Sequence, residues 1–424
     1  MKKIYTSLGF MSGTSGDGID VSIIKSDGYD YISKLINRYY PYKSISPHIK
    51  DELNELKKII INPDDLKKYQ KRINYLEEKI TFAHNFAYQN IIKDLDFFRI
   101  NQEILHSQKD IIESDNIEEL KNIDINLIGF HGQTIFHDAK SKLTKQIGNG
   151  RMLSKLTKKT VVYDFRSNDI KNDGEGAPLT PIYHQLIFKK PYLEFPIFIL
   201  NLGGITNLTI LQNQKEISLA CDIGPGNCLI DEWIKKKTSN DFDFDGEIAA
   251  KGKVMNEILS KALEKFFIKQ NLNNKIKKNN FSEIFNAQRS YGLQDFDLNF
   301  VKGLSTEDGA ATLTEYTTSI LARFINTIIS SYKDDKIRDK INIVLCGGGR
   351  KNYFLRKNLS KKINKKLLLI EEITPIFGQY NGDFIESQAF AYLAIRSKLK
   401  LPISFPETTG CKSPSTGGLI VKNF

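Results

Sequence analysis

MSGTSGDGID, residues 11–20, stands between two apolar stretches near the start of a chain of 424 residues. Ile4 to Phe10 precedes it with the composition of a strand, and Ile19, Val21 and Ile23 follow it in alternation with polar residues. The reading is therefore strand, glycine-rich turn, strand. A Walker loop passes from strand to loop to helix and carries Gly-Lys-Ser/Thr. Here the chain stays extended through Ser26, Asp27 and Gly28 toward a further strand, and no such lysine is present.

Gly13, Gly16 and Gly18 allow positive φ and close approach of backbone, so successive N–H groups can converge on phosphate oxygens. Ser12, Thr14 and Ser15 add hydroxyl donors. The turn alone equally fits a plain hairpin. Asp17 and Asp20 lie beside it, where carboxylates would repel phosphates, and a bridging Mg²⁺, held in part through water, reconciles the two. An Asx hydrogen bond that caps the turn is the alternative, above all for Asp20.

The pattern recurs after Pro196: apolar Ile197 to Leu200, the turn Asn201-Leu202-Gly203-Gly204, then a second strand through Ile205 to Leu211. This weak internal repeat predicts a duplicated domain pair with a nucleotide site between the halves. A third glycine element, Cys346 to Arg350, follows the strand Ile341 to Leu345 and precedes a helix beginning near Asn352. Gly347, Gly348 and Gly349 would let a purine lie flat on backbone, or simply make a tight turn.

Polar groups also follow other strand candidates. Asp222 comes directly after the apparent strand Ile217 to Ala220 and before Gly-Pro-Gly, where it can serve as a general base or as a turn carboxylate. Ile123 to Phe130 ends in HGQT, and Thr160 to Phe165 ends in DFRSND. His131 and Gln133 are candidates for sugar hydrogen bonds; His131 and His137 lack the i, i+4 spacing of a helical metal pair. Arg166 is a candidate clamp for a substrate carboxylate or a member of a structural ion pair. Between the first strands and these motifs, Ile49 to Leu95 has helical spacing broken at Pro63 and Asp64, which reads as an insertion.

The length exceeds what one hydrophobic core usually serves, so two domains are expected. A net charge of +11 raises nucleic acid as a partner, but the lysines are scattered through Asn- and Ile-rich stretches such as 271–280, as on a solvated surface. Cys221, Cys228, Cys346 and Cys411 form no CxxC pair, which fits reduced thiols in a cytosol. The opening MKKIYTSLGFMSG is too short and broken in its apolar part for a signal peptide, and no run approaches the roughly 18 apolar residues of a membrane span. These features predict a cytoplasmic protein with a small-molecule substrate and neither nucleic acid nor membrane as partner.

MSGTSGDGID, GFHGQTIFH, QIGN, DFRSNDI with GEGAPL, NLGGITNLT, CDIGPGNCLID, CGGGRKN and ESQAFAYLA occur in that order. With this series the chain resembles the anhydro-N-acetylmuramic acid kinases, bacterial members of the actin and hexokinase superfamily, over nearly its whole length. The resemblance implies two duplicated actin-like (ribonuclease H-like) α/β domains flanking a nucleotide cleft. Residues 1–190 would form the first domain with its helical insertion, residues 191–400 the second, with a segment near 400–424 packing back on the first. It implies ATP and Mg²⁺ as cofactors, Gly13 to Asp20 with Ile19 as the ATP-binding turn, Asp222 as catalytic base, Glu386 near the sugar, and a homodimer. The reaction implied is opening of the 1,6-anhydro bridge with phosphorylation of O6, a step in peptidoglycan recycling. Three places depart from the family: Gly16 stands where relatives usually have Leu, Asp173 and Glu175 replace Gly and Gln before GAPL, and QRSYGLQDF from Gln288 replaces a KSTGRExF-like segment. A kinase for another sugar, or an actin-like ATPase of chaperone or filament type, would use the same phosphate turns.

Overall fold

In the computed structural model, residues 2–13, 15–100, 123–138, 141–189, 193–269, 290–292, 295–373 and 381–424 are described. The chain separates into two compact units, Met1–Lys190 with Thr374–Phe424, and Pro191–Ile373.

In the first unit β1 (Tyr5–Met11), β2 (Gly18–Ser26) and β3 (Ile32–Pro41) form an antiparallel meander, with Met11 opposite Asp20 at the turn. β4 (Leu127–Phe130) adds parallel to β1. After a small hairpin of β5 (Gln133–Asp138) and β6 (Leu143–Ile147), β7 (Thr160–Tyr163) adds parallel to β4. The second unit repeats the plan. β8 (Ile197–Leu202), β9 (Ile205–Asn213) and β10 (Glu216–Pro225) form the meander, β11 (Asn342–Cys346) pairs parallel to β8, and β12 (Leu367–Leu369) pairs parallel to β11. β13 (Leu419–Val421) returns to the first sheet, antiparallel to β7.

The sheet orders are β13-β7-β4-β1-β2-β3 and β10-β9-β8-β11-β12. Counted from the first strand of each unit, both place the strands third, second, first, fourth, fifth, with the same directions. That shared order is the ribonuclease H-like topology of the actin-like fold, present twice. It bears out the weak repeat between the first and second glycine turns.

β1 and β2 are buried along most of their length, as strands covered on both faces must be. Leu8 and Phe10 join a core with Leu53, Leu56, Ile73 and Ile80 of the insertion helices. On the opposite face Gly9 and Gly129 have no room for a side chain: a Cβ would lie 1.9 Å from the Ser387 carbonyl oxygen and 2.2 Å from that of Phe390. The helix Ile385–Lys398 therefore lies directly on β1, β2 and β4 and belongs to the first unit. The sequence boundary at residue 400 puts it in the second domain; small residues on both surfaces, Gly9 and Gly129 against Ala391 and Ala394, draw it back. The second core gathers Trp233, Phe266, Ile320 and Leu345 around the helix Thr306–Ser331.

The insertion is three helices, Ile49–Ile59, Pro63–Lys68 and Gln70–Ile100. Its break falls where Pro63 and Asp64 place it, with Asn62 capping the second helix by accepting from the Asp64 and Asp65 N–H groups. Among the described residues no helix is long and apolar enough to cross a membrane.

Candidate active site

β1, β4 and β7 run parallel, so their C-terminal ends share one edge of the first sheet, the edge where α/β sheets place ligands. The glycine turn, His131 and Arg166 all follow those ends. Gly16 donates its N–H to the Gly13 carbonyl at 3.1 Å and takes φ +65°, a conformation that favours glycine. A Cβ on Gly13 would meet nothing nearer than Ser15 Oγ at 3.9 Å, whereas one on Gly18 would lie 2.6 Å from the Tyr40 carbonyl oxygen. Gly13 thus leaves space above the turn, and Gly18 is needed for packing. Thr14 lies outside the described residues, and Ile19 points into the core, so only its backbone can serve the turn.

Gln133 is tied to the turn. Its Nε2 donates to the Gly13 carbonyl at 2.9 Å, and its Oε1 lies 2.5 Å from the Ser12 hydroxyl. That hydroxyl also lies 2.9 Å from Tyr42 OH and 2.9 Å from the Gly18 carbonyl. Burial holds the Tyr42 phenol above its ordinary pKa, so it stays a donor, and the single Ser12 proton goes to the shortest contact. Gln133 is fully buried and braces the turn. Asp17 is likewise engaged, its Oδ1 lying 2.6 Å from Lys50 Nζ, while Asp20 is half-buried where β2 leaves the turn. Among the described residues no group of three or more His, Cys, Asp or Glu side chains is arranged to hold a metal ion.

His131 and Arg166 come together. His131 Nδ1 donates to the Gly132 carbonyl at 2.9 Å, which leaves Nε2 to accept from Arg166 Nε at 3.2 Å and Nη2 at 3.0 Å. Burial, and then the Arg166 charge, hold His131 well below the usual histidine pKa, so it is neutral. Arg166 Nη1 donates to the Gly176 carbonyl at 2.7 Å. Sequence reasoning missed what holds this loop. The buried Asp169 carboxylate accepts from the Gly176 N–H at 2.7 Å and the Thr409 hydroxyl at 2.6 Å, tying GEGAPL to the C-terminal segment. Asp173 adopts φ +65° and pairs with Lys142 and Lys412. His137 Nδ1 sits 3.1 Å from Thr144 Oγ1. Glu386 is half-buried in the first turn of its helix, beside Ser387, whose hydroxyl meets Ser22 on β2 at 2.7 Å.

In the second unit three turns meet at the corresponding edge. The Gly226 and Asn227 N–H groups donate to the Gly204 and Gly203 carbonyls, each at 2.9 Å, and a Cβ on Gly226 would lie 2.0 Å from the Gly203 oxygen. Gly347, at φ +78°, packs against Asn201: a Cβ there would be 2.3 Å from Asn201 Oδ1. Gly349 is held against Leu202 in the same way, but Gly348 is exposed, and a Cβ on it would meet nothing within 4 Å. Arg350 locks this turn, its Nη1 donating to the Gly347 carbonyl at 2.9 Å and its Nε to Glu371 at 2.8 Å.

Asp222 stands on β10 at an irregularity in the pairing with β9, opposite Asn207 and three residues before Pro225. Such bulges re-aim a side chain. Its Oδ2 accepts from the Tyr291 N–H at 2.8 Å, so the carboxylate is oriented by the segment that reads QRSYGLQDF in the sequence. Of that segment, residues 288, 289, 293 and 294 lie outside the described residues.

The family model for anhydro-N-acetylmuramic acid kinase matches residues 76–423. An anhydro-N-acetylmuramic acid kinase of Pelagibacter ubique is 41% identical over 432 residues, covering 100% of both chains. One from Zymomonas mobilis is 35% identical, covering 98% of this chain and 99% of its own. Likeness to solved structures is weaker: a ROK family glucokinase from Streptomyces griseus, solved with glucose and AMPPNP, has a TM-score of 0.36 and 9% identity over 92% of this chain and 99% of that one. A match over most of the chain, with full-length relatives above 30% identity, makes this enzyme, a sugar kinase and so a phosphotransferase, a member of the anhydro-N-acetylmuramic acid kinase family.

Proposed function

We propose that the enzyme uses ATP to phosphorylate O6 of 1,6-anhydro-N-acetylmuramic acid while opening its bridge with one water, in the cytoplasmic recycling of peptidoglycan. The observation that carries this reading is Asp222, a carboxylate re-aimed by an irregularity of β10 in the unit that holds three glycine turns, and oriented by the Tyr291 N–H. The bridged sugar has no free 6-hydroxyl, so a base must act on water instead. Asp222 takes a proton from water as the water oxygen bonds to C1; the C1–O6 bond breaks, and O6 attacks the γ-phosphorus. The bond from that phosphorus to the β,γ-bridging oxygen breaks last, and ADP leaves. The geometry at C1 resembles that of an inverting glycosidase.

In each unit a glycine turn, Gly13 to Gly18 in the first and Asn201 with Gly203 and Gly204 in the second, offers backbone N–H groups suited to phosphate. Gly348, open above its turn, is the glycine against which we place the adenosine. Mg²⁺ binds through one or two carboxylates and phosphate oxygens; Asp20 fits that need, and Asp17, already paired with Lys50, would join through water. When bound, the ion neutralises charge on the transferring phosphoryl group. Arg166, held from behind by neutral His131, presents a cation to the lactyl carboxylate, and Glu386 contributes at the sugar.

The test is ADP release from purified enzyme with ATP, Mg²⁺ and candidate sugars. Release that depends on the 1,6-anhydro sugar, and not on glucose or N-acetylglucosamine, supports the assignment. Release that is as fast with no sugar as with it would favour an actin-like ATPase, which passes the phosphoryl group to water.

A further inference from the structure

Arg166 is held by His131, as described, and by the Gly176 carbonyl, which accepts from its Nη1 at 2.7 Å. Gly176 lies in a loop at φ +76°, so whatever fixes that residue decides where the guanidinium is aimed. Its N–H donates to Asp169 Oδ2 at 2.7 Å, and the other oxygen of the same carboxylate accepts from the Thr409 hydroxyl at 2.6 Å. Asp169 is fully buried, and Gly174 is pressed against it: a Cβ there would lie 2.2 Å from Oδ2. We propose that Asp169 is a positioning residue for sugar recognition, aiming Arg166 at the substrate carboxylate through Gly176. This rests on the role proposed above for Arg166.

A tie between this loop and the C-terminal segment does not need a carboxylate. The Glu175 N–H donates to the Thr409 carbonyl and the Lys412 N–H to the Asn172 carbonyl, each at 2.9 Å. The side chains of Asn168 and Asn172 reach the Thr416 and Ser413 carbonyls, each at 2.6 Å. Burying a carboxylate is costly unless donors meet it, and what this one adds to those neutral contacts is a charge-assisted hold on the Gly176 N–H. With its N–H and its carbonyl both engaged, Gly176 cannot turn without giving up a contact, and Arg166 keeps its aim. A planar guanidinium fixed in advance loses less freedom when it meets a carboxylate.

The test is calorimetric titration of Asp169→Ala, Asp169→Asn, Arg166→Ala and the double variant Asp169→Ala with Arg166→Ala. Each is titrated with 1,6-anhydro-N-acetylmuramic acid and with 1,6-anhydro-N-acetylglucosamine, which lacks the lactyl group. Asp169→Ala should weaken binding of the muramic sugar about five- to thirtyfold and leave the glucosamine analogue and AMPPNP within about twofold. Asp169→Asn should stay near wild type, since the amide can accept from Gly176 and donate to Thr409. In the Arg166→Ala background, loss of Asp169 should cost no more than about twofold, because its effect passes through the guanidinium. Should Asp169→Ala fail to fold, Thr409→Val serves: it removes one donor from the carboxylate, keeps the shape, and should show the same preference between the sugars at smaller size. Equal loss for both sugars, or an undiminished loss without Arg166, overturns the proposal. Arg166→Ala that weakens both sugars alike would instead refute the carboxylate role of Arg166 itself.

Discussion

Gln133→Leu separates a turn brace from a sugar ligand. Leucine removes two contacts, the Nε2 donation to the Gly13 carbonyl at 2.9 Å and the 2.5 Å contact with the Ser12 hydroxyl. The second loss is softened, because the Ser12 proton can turn to the Gly18 carbonyl 2.9 Å away while Tyr42 continues to donate to its oxygen. The first is not, since the Gly13 carbonyl loses a partner fixed from another strand and keeps only the Gly16 N–H within the turn. A net hydrogen bond is worth about 0.5–1.5 kcal/mol, so the turn should lose roughly 1 kcal/mol of preference for its native shape. That is about fivefold in the population of the competent turn. Steady-state kinetics should show the KM for ATP raised by up to about that factor, with the KM for sugar close to wild type. A raised sugar KM at unchanged ATP KM would mean that Gln133 faces the sugar and that the bracing argument is wrong.

Asp222→Asn keeps size and can still accept from the Tyr291 N–H, so the protein should fold and bind, while kcat falls about 10²–10⁴-fold with little change in KM. A folded variant with near-normal kcat would remove Asp222 from the chemistry. Two glycines should behave oppositely: Gly13→Val, with open space around its Cβ, should keep the urea midpoint and weaken ATP binding, whereas Gly226→Ala should lose about 2–4 kcal/mol of stability, because its Cβ has only 2.0 Å to the Gly203 oxygen. Matching effects of the two on stability would contradict that division. His84 is buried between Phe10 and Phe130, and burial lowers its pKa from 6.5 to about 4. Below pH 6.5 the unfolded chain takes up a proton that the folded chain refuses, so stability should fall with pH from about 6.5 toward 4, at up to about 1.4 kcal/mol per unit for this one group. Urea unfolding across that range should show the slope reduced by about one proton in His84→Phe; an unchanged slope would show that His84 titrates normally.

The strands and their glycine turns were legible because each is local. Apolar runs ending in NLGG or CGGGR announce a strand end within a few residues, and the repeated order β1-turn-β2 and β8-turn-β9 could be seen without any tertiary contact. Asp222 follows the strand Ile217 to Ala220 on the sequence reading, whereas β10 runs on through Pro225 and holds it within the strand. What escaped was set by distant partners. Gln133 meets Ser12 across 121 positions, and Asp169 meets Thr409 across 240, so nothing near either residue marks its task. The Ile385–Lys398 helix carries a motif placed late in the chain, yet the bare strands at Gly9 and Gly129 receive it.

The most direct measurement is the mass of the sugar product formed from ATP, Mg²⁺ and 1,6-anhydro-N-acetylmuramic acid in water enriched in oxygen-18. Coupled ring opening predicts a gain of one phosphoryl group plus one water, with the heavy oxygen at C1 and none in the phosphate. A product heavier by the phosphoryl group alone would contradict the account, because the bridge would then have survived the transfer.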